Sequence, residues 1–245
     1  MSQPKEHPRL LAIVPARGGS KGIPNKNIYP FCGIPLLAHT IFYARRCPEI
    51  DRLVVSTDYS RIAEVAINYH AKVQQRPPEL AQDDTPIWAV LRYALQEEER
   101  RSGPYDYLAL LEPTSPLREV GDLAKALQLL EAAPQVAGVI AVAPFRFNPA
   151  WNAFTLGQEG YLEYLLPEGA RAYQRQMVPR VYHHSGELYL WRASYVRDHP
   201  EGWQQGRYLP LPTPPERAVS IDTLEELRWA ERLVEAGMVE LPWLS

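Results

Sequence analysis

The segment RGGSKGIPNK, residues 17–26, collects three cations (Arg17, Lys21 and Lys26) and three glycines (Gly18, Gly19 and Gly22) directly behind the apolar run RLLAIVP. Glycines let successive backbone N–H groups turn toward a ligand without Cβ obstruction, and such runs of donors form anion nests. Mobile positive charge around a nest suits a polyphosphate. The spacing is neither G-x-G-x-x-G nor the P-loop pattern, so neither fingerprint applies. The competing reading of two adjacent glycines is a solvated turn. Three further polar segments could share the chemistry: STD at 56–58, RPPELAQDD at 76–84 and EPTSPLR at 112–118.

The elements that would carry these segments follow from periodicity. Through the first 145 residues, short apolar runs without polar alternation (RLLAIVP, RLVVSTD, AKVQQR, YDYLALLEP, AGVIAVAP) alternate with helical patterns such as TPIWAVLRYALQEEERR and VGDLAKALQLLEAA. Unalternated strands separated by helices imply a parallel sheet covered on both faces, a doubly wound α/β fold. Ligands of such sheets bind beyond the carboxyl ends of the strands. All four polar segments therefore fall on one rim.

Between 146 and 192 the pattern changes. WNAFTL and GYLEYLL flank GQE like a hairpin, an Arg/Gln stretch follows, and VYHHSGELYLWR reads as another strand. The expectation is a single domain over 1–245 with 146–192 as an inserted arm or lid. YLPLPT, AVSID and a last helix, TLEELRWAERLVEAG, complete the chain, with Asp222 or Thr223 as the helix N-cap.

Bulk properties exclude several function classes. At 245 residues and 46% apolar content the chain can bury one main core. A formal net charge of −3 gives no basic field, so nucleic acid is not an expected partner. Cys32 and Cys47 are too few for a disulfide framework or a paired-cysteine metal site, which favours a reducing compartment, the cytoplasm. No window approaches the ~20 apolar residues of a membrane span, and none is expected.

VPARGGSKGIPNKNI resembles the N-terminal signature of the acylneuraminate cytidylyltransferases, enzymes that join CTP to a nine-carbon acidic sugar. VVSTD, RPPELAQDDTP, EPTSPLR and SIDTLEEL follow in that family's order and approximate spacing. The resemblance spans nearly the whole chain and is weakest at 145–180. It implies a Rossmann-like nucleotidyltransferase fold, Mg²⁺ as cofactor, and a homodimer in which the arm closes the neighbour's site. In the implied reaction the sugar's anomeric hydroxyl attacks the α-phosphorus of CTP and pyrophosphate leaves, so fixed cations and a metal lower the barrier.

By motif position, Arg17 and Lys21 face the triphosphate, within a nucleotide loop that also holds Gly18, Gly19, Ser20 and Lys26. Asn27 and Arg76 position the nucleotide, and backbone near Ala16 reads the cytosine. Asp83 stands in the next nucleotide segment, although Asp83 and Ser56 read equally well as cap or turn residues. Arg76 has an alternative as an exposed ion pair. Asp222 matches the second carboxylate of a D-I-D pair that resembles a Mg²⁺ site; here the first position is Ser220. Glu112 stands where the family usually has Gln. It is expected either to supply the missing carboxylate, to the metal or as general base, or only to hydrogen-bond the sugar.

On the sugar side, Arg175 resembles the family's carboxylate-binding arginine, and Tyr189 an aromatic of the sugar pocket. The usual R-x-N-G-A-I-Y reads HHSGELY, with His183, Ser185 and Glu187 substituted. HHSGELY is closer to the pseudaminate branch and EPTSPLR to the sialate and legionaminate branches, so the acidic sugar stays open, with His183 a candidate contact. His183 and His184 point to opposite faces of a strand and are not expected to share a metal. Phe145, Phe147 and Trp151 read as a pocket wall or as packing. Two rival readings are a synthetase for the eight-carbon acid Kdo, whose opening R-x-x-S-T-R-L-P-G-K is not matched, and a catalytically reduced sugar-nucleotide-binding protein, suggested by Ser220.

Overall fold

A computed structural model describes residues 7–20, 22–171 and 174–244. Strand β1 (Leu10–Pro15) is buried on both faces, as its unbroken apolar run requires. It leads through the cationic loop to the short pair β2 (Pro30–Phe31) and β3 (Ile34–Pro35) and then to helix α1 (Leu36–Arg45). Three strand–helix units follow: β4 (Arg52–Thr57) with α2 (Ser60–Asn68), β5 (Lys72–Gln75) with α3 (Ile87–Ser102), and β6 (Tyr107–Leu110) with α4 (Asp122–Ala132). After β7 (Gly138–Pro144) come the hairpin β8 (Phe154–Leu156) and β9 (Leu162–Tyr164), then β10 (Tyr182–Arg192), α5 (Ala193–Asp198), β11 (Tyr208–Pro212) and α6 (Leu224–Glu235).

Seven strands form one sheet in the order β11-β7-β10-β6-β1-β4-β5. All neighbours are parallel except β10, which runs antiparallel to both β6 and β7. The doubly wound, mostly parallel expectation therefore holds. Side chains alternate between two cores: Leu10, Ala12 and Val14 pack with α1, α2, α4 and α6, while Leu11 and Ile13 pack with α3 and α5.

The boundary of the arm differs from the expected 146–192. Tyr182–Arg192 is a central strand, and its run from Ser185 to Trp191 is buried because the sheet covers it on both sides. The hairpin itself is as read, with Phe154 opposite Tyr164 and every residue of both strands exposed. The partner side of β10 shifts register between His184 and Tyr189, where Gly186 takes φ +78°.

Helix α6 shows how local sequence fixes an element beside the cavity. Thr223 is its N-cap and forms a capping box with Glu226, while Leu227, Ala230 and Leu233 give the buried stripe. A cap of this kind contributes about 1 kcal/mol. Asp222, the alternative cap, keeps its carboxylate outside that box.

Candidate active site

A cavity of about 700 Å³ opens at the carboxyl ends of the strands, between the loop after β1, the segment before α3, the loop after β6 and the segment before α6. Three of the four polar segments line it, as the topology requires, while the STD segment at 56–58 lies behind its lining. Arg17, Ser20, Lys26, Asn27, Arg76, Asp83, Glu112 and Asp222 line it, together with Ser220 and Thr223. Lys21 lies outside the described residues.

The glycines act mainly through close packing. The N–H of Gly18 donates to Asp58 Oδ1 at 3.2 Å, and a Cβ there would stand 2.9 Å from Tyr59 Cβ. A Cβ on Gly22 would collide with the carbonyl oxygen of Asp222. Gly18 and Gly22 thus let the loop lie against the turn after β4 and the segment before α6. Gly19 has open space around it, and neither Gly18 nor Gly19 lines the cavity. Ala16 is fully buried, its N–H donating to Ser56 O at 2.9 Å as an extension of the β1–β4 ladder. Asn27, also buried, donates from Nδ2 to Arg17 O at 3.0 Å and so holds the loop rather than facing solvent.

Two ion pairs span the cavity. Arg17 Nη1 donates to Asp83 Oδ1 at 2.6 Å, and Lys26 Nζ to Asp222 Oδ1 at 2.5 Å. Asp83 caps no helix: the residues preceding the first turns of α2 and α3 are Tyr59 and Pro86. Ser56 is likewise no cap but a fully buried residue of β4.

Arg76 is buried, which removes its reading as an exposed ion pair. Its Nη2 donates to Ser56 O at 3.0 Å, its backbone N–H to Thr57 O at 2.8 Å, and its Nε has no partner. Burial lowers its pKa, Asp58 opposes that shift, and Arg17 adds to it. Arg76 lines the cavity, and a guanidinium there is suited to an oxygen-rich ligand.

Glu112 follows β6 and is half-buried. Burial raises its pKa; Arg118 and Lys26 oppose the shift and Asp222 adds to it. The Ile221 N–H donates to Thr114 O at 2.8 Å and ties the Glu112 loop to the segment bearing Asp222. The hard carboxylates of Glu112 and Asp222 line one cavity and fit Mg²⁺, which keeps waters and binds through one or two carboxylates plus substrate phosphates. Among the described residues no group of three or more His, Cys, Asp and Glu could hold a metal ion, so such an ion would need oxygens from a ligand.

The sugar-side expectations are met less directly. Tyr189 is buried in the sheet, stacked on Trp191, with its hydroxyl 3.0 Å from His184 Nδ1; it does not line the cavity. Burial, then the neighbouring Glu112, raises its pKa. His183 turns its ring onto Phe145 at 4.7 Å, also away from the cavity. Arg175 sits in a short helical turn, Arg175–Met177, and its side chain lies outside the described residues. Phe145 and Phe147 are exposed rather than packed in the core.

Sequence reasoning gave no task to the charges beneath the site. Arg118 and Glu187 are buried, and Arg217 joins Asp122 at 2.6 Å while standing 4.0 Å from Glu187, beyond hydrogen-bond reach. Burial raises the Glu187 pKa to about 7, with Arg217 the main opposing influence. The only signal for Arg118 was its place at the end of EPTSPLR.

A family model described as cytidylyltransferase matches residues 11–234. The chain is 28% identical over 234 residues to the CMP-N,N'-diacetyllegionaminic acid synthase of Legionella pneumophila, covering 95% of this chain and 99% of that protein. It is 30% identical to a pseudaminic acid cytidylyltransferase of Campylobacter jejuni, over 93% of this chain and 97% of the other. A solved CMP:2-keto-3-deoxy-manno-octonic acid synthetase complexed with CTP superposes with a TM-score of 0.69 at 16% identity, over 94% of this chain and 99% of that one. At that identity the structural likeness establishes the fold.

Proposed function

The chain belongs to the cytidylyltransferase family, and from that membership we propose that it couples CTP to an acidic nonulosonic sugar of the sialic, legionaminic or pseudaminic type, giving a CMP-sugar and pyrophosphate. The observation that carries the reading is the cavity itself, where Arg17, Lys26 and Arg76 line one space of about 700 Å³ together with Glu112 and Asp222. The full-length similarity to synthases of this kind supports it.

In this reading the triphosphate lies along the loop after β1. Its oxygens take Arg17 from Asp83 and Lys26 from Asp222, with Lys21 and Ser20 adding donors and Asn27 keeping the loop in place. The buried Arg76, beside the Ala16 backbone, holds the nucleoside end. Asp222 would hold Mg²⁺, which when bound would supply charge neutralisation on the phosphate oxygens, and Glu112 is left free of the metal. Glu112 takes the proton of the sugar's anomeric hydroxyl: the oxygen–phosphorus bond forms, the bond to pyrophosphate breaks, and the proton resides on the carboxylate. Burial raises the proton affinity of Glu112 toward the range a general base needs.

The acidic sugar is assigned to the space between Glu112 and the arm, with Arg175 as partner of its carboxylate. The exposed apolar hairpin, where Leu156 is 75% and Leu162 68% exposed, supports a homodimer in which a second copy covers it. No helix among the described residues is long and apolar enough to cross a membrane; the reaction is assigned to the cytoplasm, where CTP is supplied.

The test is pyrophosphate release from CTP and Mg²⁺ with a panel of sialic, legionaminic, pseudaminic and Kdo acids. Release with a nonulosonic acid supports the proposal and names the substrate. Release with Kdo alone replaces it by the eight-carbon reading. Measurable CTP binding with no release from any sugar replaces it by a binding protein.

A further inference from the structure

Behind Glu112 stands a buried arginine that touches none of the cavity. The guanidinium of Arg118 joins three segments: Nη2 donates to Glu112 O at 2.5 Å, Nε to Glu187 O at 2.5 Å, and Nη1 to Thr40 Oγ1 at 3.1 Å. The loop after β6, the irregular turn of β10 and helix α1 are thereby fixed to one rigid fork. Against the Glu112 side chain stands Gly186, in the left-handed region at φ +78°. A Cβ on Gly186 would collide with Ser115 Oγ and lie 3.0 Å from Glu112 Oε2. Ser115 Oγ in turn donates to Ser185 O at 3.3 Å. The Glu112 carboxylate therefore rests beside a bare Cα while its own carbonyl is held by Arg118.

We propose that Arg118 and Gly186 are positioning residues for Glu112, setting where its carboxylate stands in the cavity without contacting either substrate. The inference rests on the role assigned to Glu112 above. A lysine at 118 keeps the charge but cannot serve three acceptors in a planar fork, and buried carbonyls would be left unpaired. A methyl group at 186 meets the carboxylate and forces an L residue into the left-handed region. Neither residue lines the cavity, so nucleotide contacts remain.

The test is a double-mutant cycle on the full chain. Arg118→Lys and Gly186→Ala are each expected to lower kcat for pyrophosphate release by about 10- to 100-fold, as small misplacements of a reacting group do, with KM for CTP within about threefold of wild type. In an Glu112→Gln background either change should lower kcat no further. Losses that multiply undiminished in that background mean that both residues act independently of Glu112, and overturn the proposal. Calorimetric CTP binding and melting curves establish that each variant is folded; should Arg118→Lys fail to fold, Gly186→Ala carries the cycle. Should the wild-type protein turn over no acidic sugar, the functional reading falls, and crystal structures decide the present inference. A Glu112 carboxylate displaced in Gly186→Ala upholds it, and one left in place overturns it.

Discussion

Lys26 Nζ lies 2.5 Å from Asp222 Oδ1, joining the loop after β1 to the segment before α6. The lysine is shielded, its side chain 13% exposed, whereas the aspartate side chain is 67% exposed. An entering phosphate must displace the carboxylate, and the carboxylate it releases is the one assigned to the metal. Asp222→Asn is therefore expected to strengthen CTP binding several-fold in the absence of Mg²⁺ while lowering Mg²⁺-dependent turnover by about two orders of magnitude or more. Calorimetry with and without Mg²⁺, beside the pyrophosphate assay, checks both halves. Weaker metal-free binding in the variant would refute the displacement.

The glycines of the loop are expected to differ sharply. Gly19→Ala meets open space and should leave stability within about 0.5 kcal/mol, whereas Gly22→Ala drives a methyl into the Asp222 carbonyl and should cost about 1–3 kcal/mol. Gly22→Ala should also weaken CTP binding, because the loop can relieve the clash only by moving off the cavity wall. Urea melts of the two variants, with CTP titrations, decide this; equal stabilities would contradict the packing role.

Acid stability should depend on a buried histidine far from the cavity. His39 Nδ1 accepts from Trp243 Nε1 at 3.0 Å, and its Nε2 donates to Phe31 O at 2.9 Å. Burial lowers its pKa from 6.5 to about 4, the Phe31 carbonyl opposing. The fold thus favours neutral imidazole. This contribution is complete above pH 6.5 and is lost as pH falls through the window from 6.5 toward 4, amounting to about 3 kcal/mol in all. His39→Gln should flatten the loss between pH 6.5 and 4.5, because no titrating ring remains at the buried position. Thermal melts across that range test it, and an unchanged slope would exclude His39 as the source.

The exposed hairpin should govern self-association. Replacing Leu156 and Leu162 together by Asp is expected to convert the proposed dimer to a monomer in sedimentation experiments without unfolding the sheet, since neither side chain enters a core. Sedimentation identical to wild type would remove the hairpin from the interface.

The alternation of strands and helices was legible because unbroken apolar runs admit few placements, and the rim followed from the topology. Thr223 as cap was within reach of the sequence; the choice against Asp222 needed the Glu226 side chain to be seen closing the box. The position of β10 was not legible. Its pattern fits an arm strand or a central strand equally, and only pairing with β6 and β7 separates them. Arg17, Lys26 and Glu112 could be read from motif position, but Arg118 could not be given a task, because its three acceptors come from segments distant in sequence. Tyr189 and His183 show the converse: matching a motif did not bring their side chains into the cavity.

The antiparallel strand at the middle of the sheet also orders the birth of the fold. During synthesis β1, β4, β5 and β6 can pair as soon as residue 110 has left the ribosome, but β6 then presents a bare apolar edge until residues 182–192 emerge. Such an edge invites pairing with other chains, and the long separation of its true mate slows closure. The half-made sheet is therefore the stage at which this polypeptide is most open to pairing with the wrong strand.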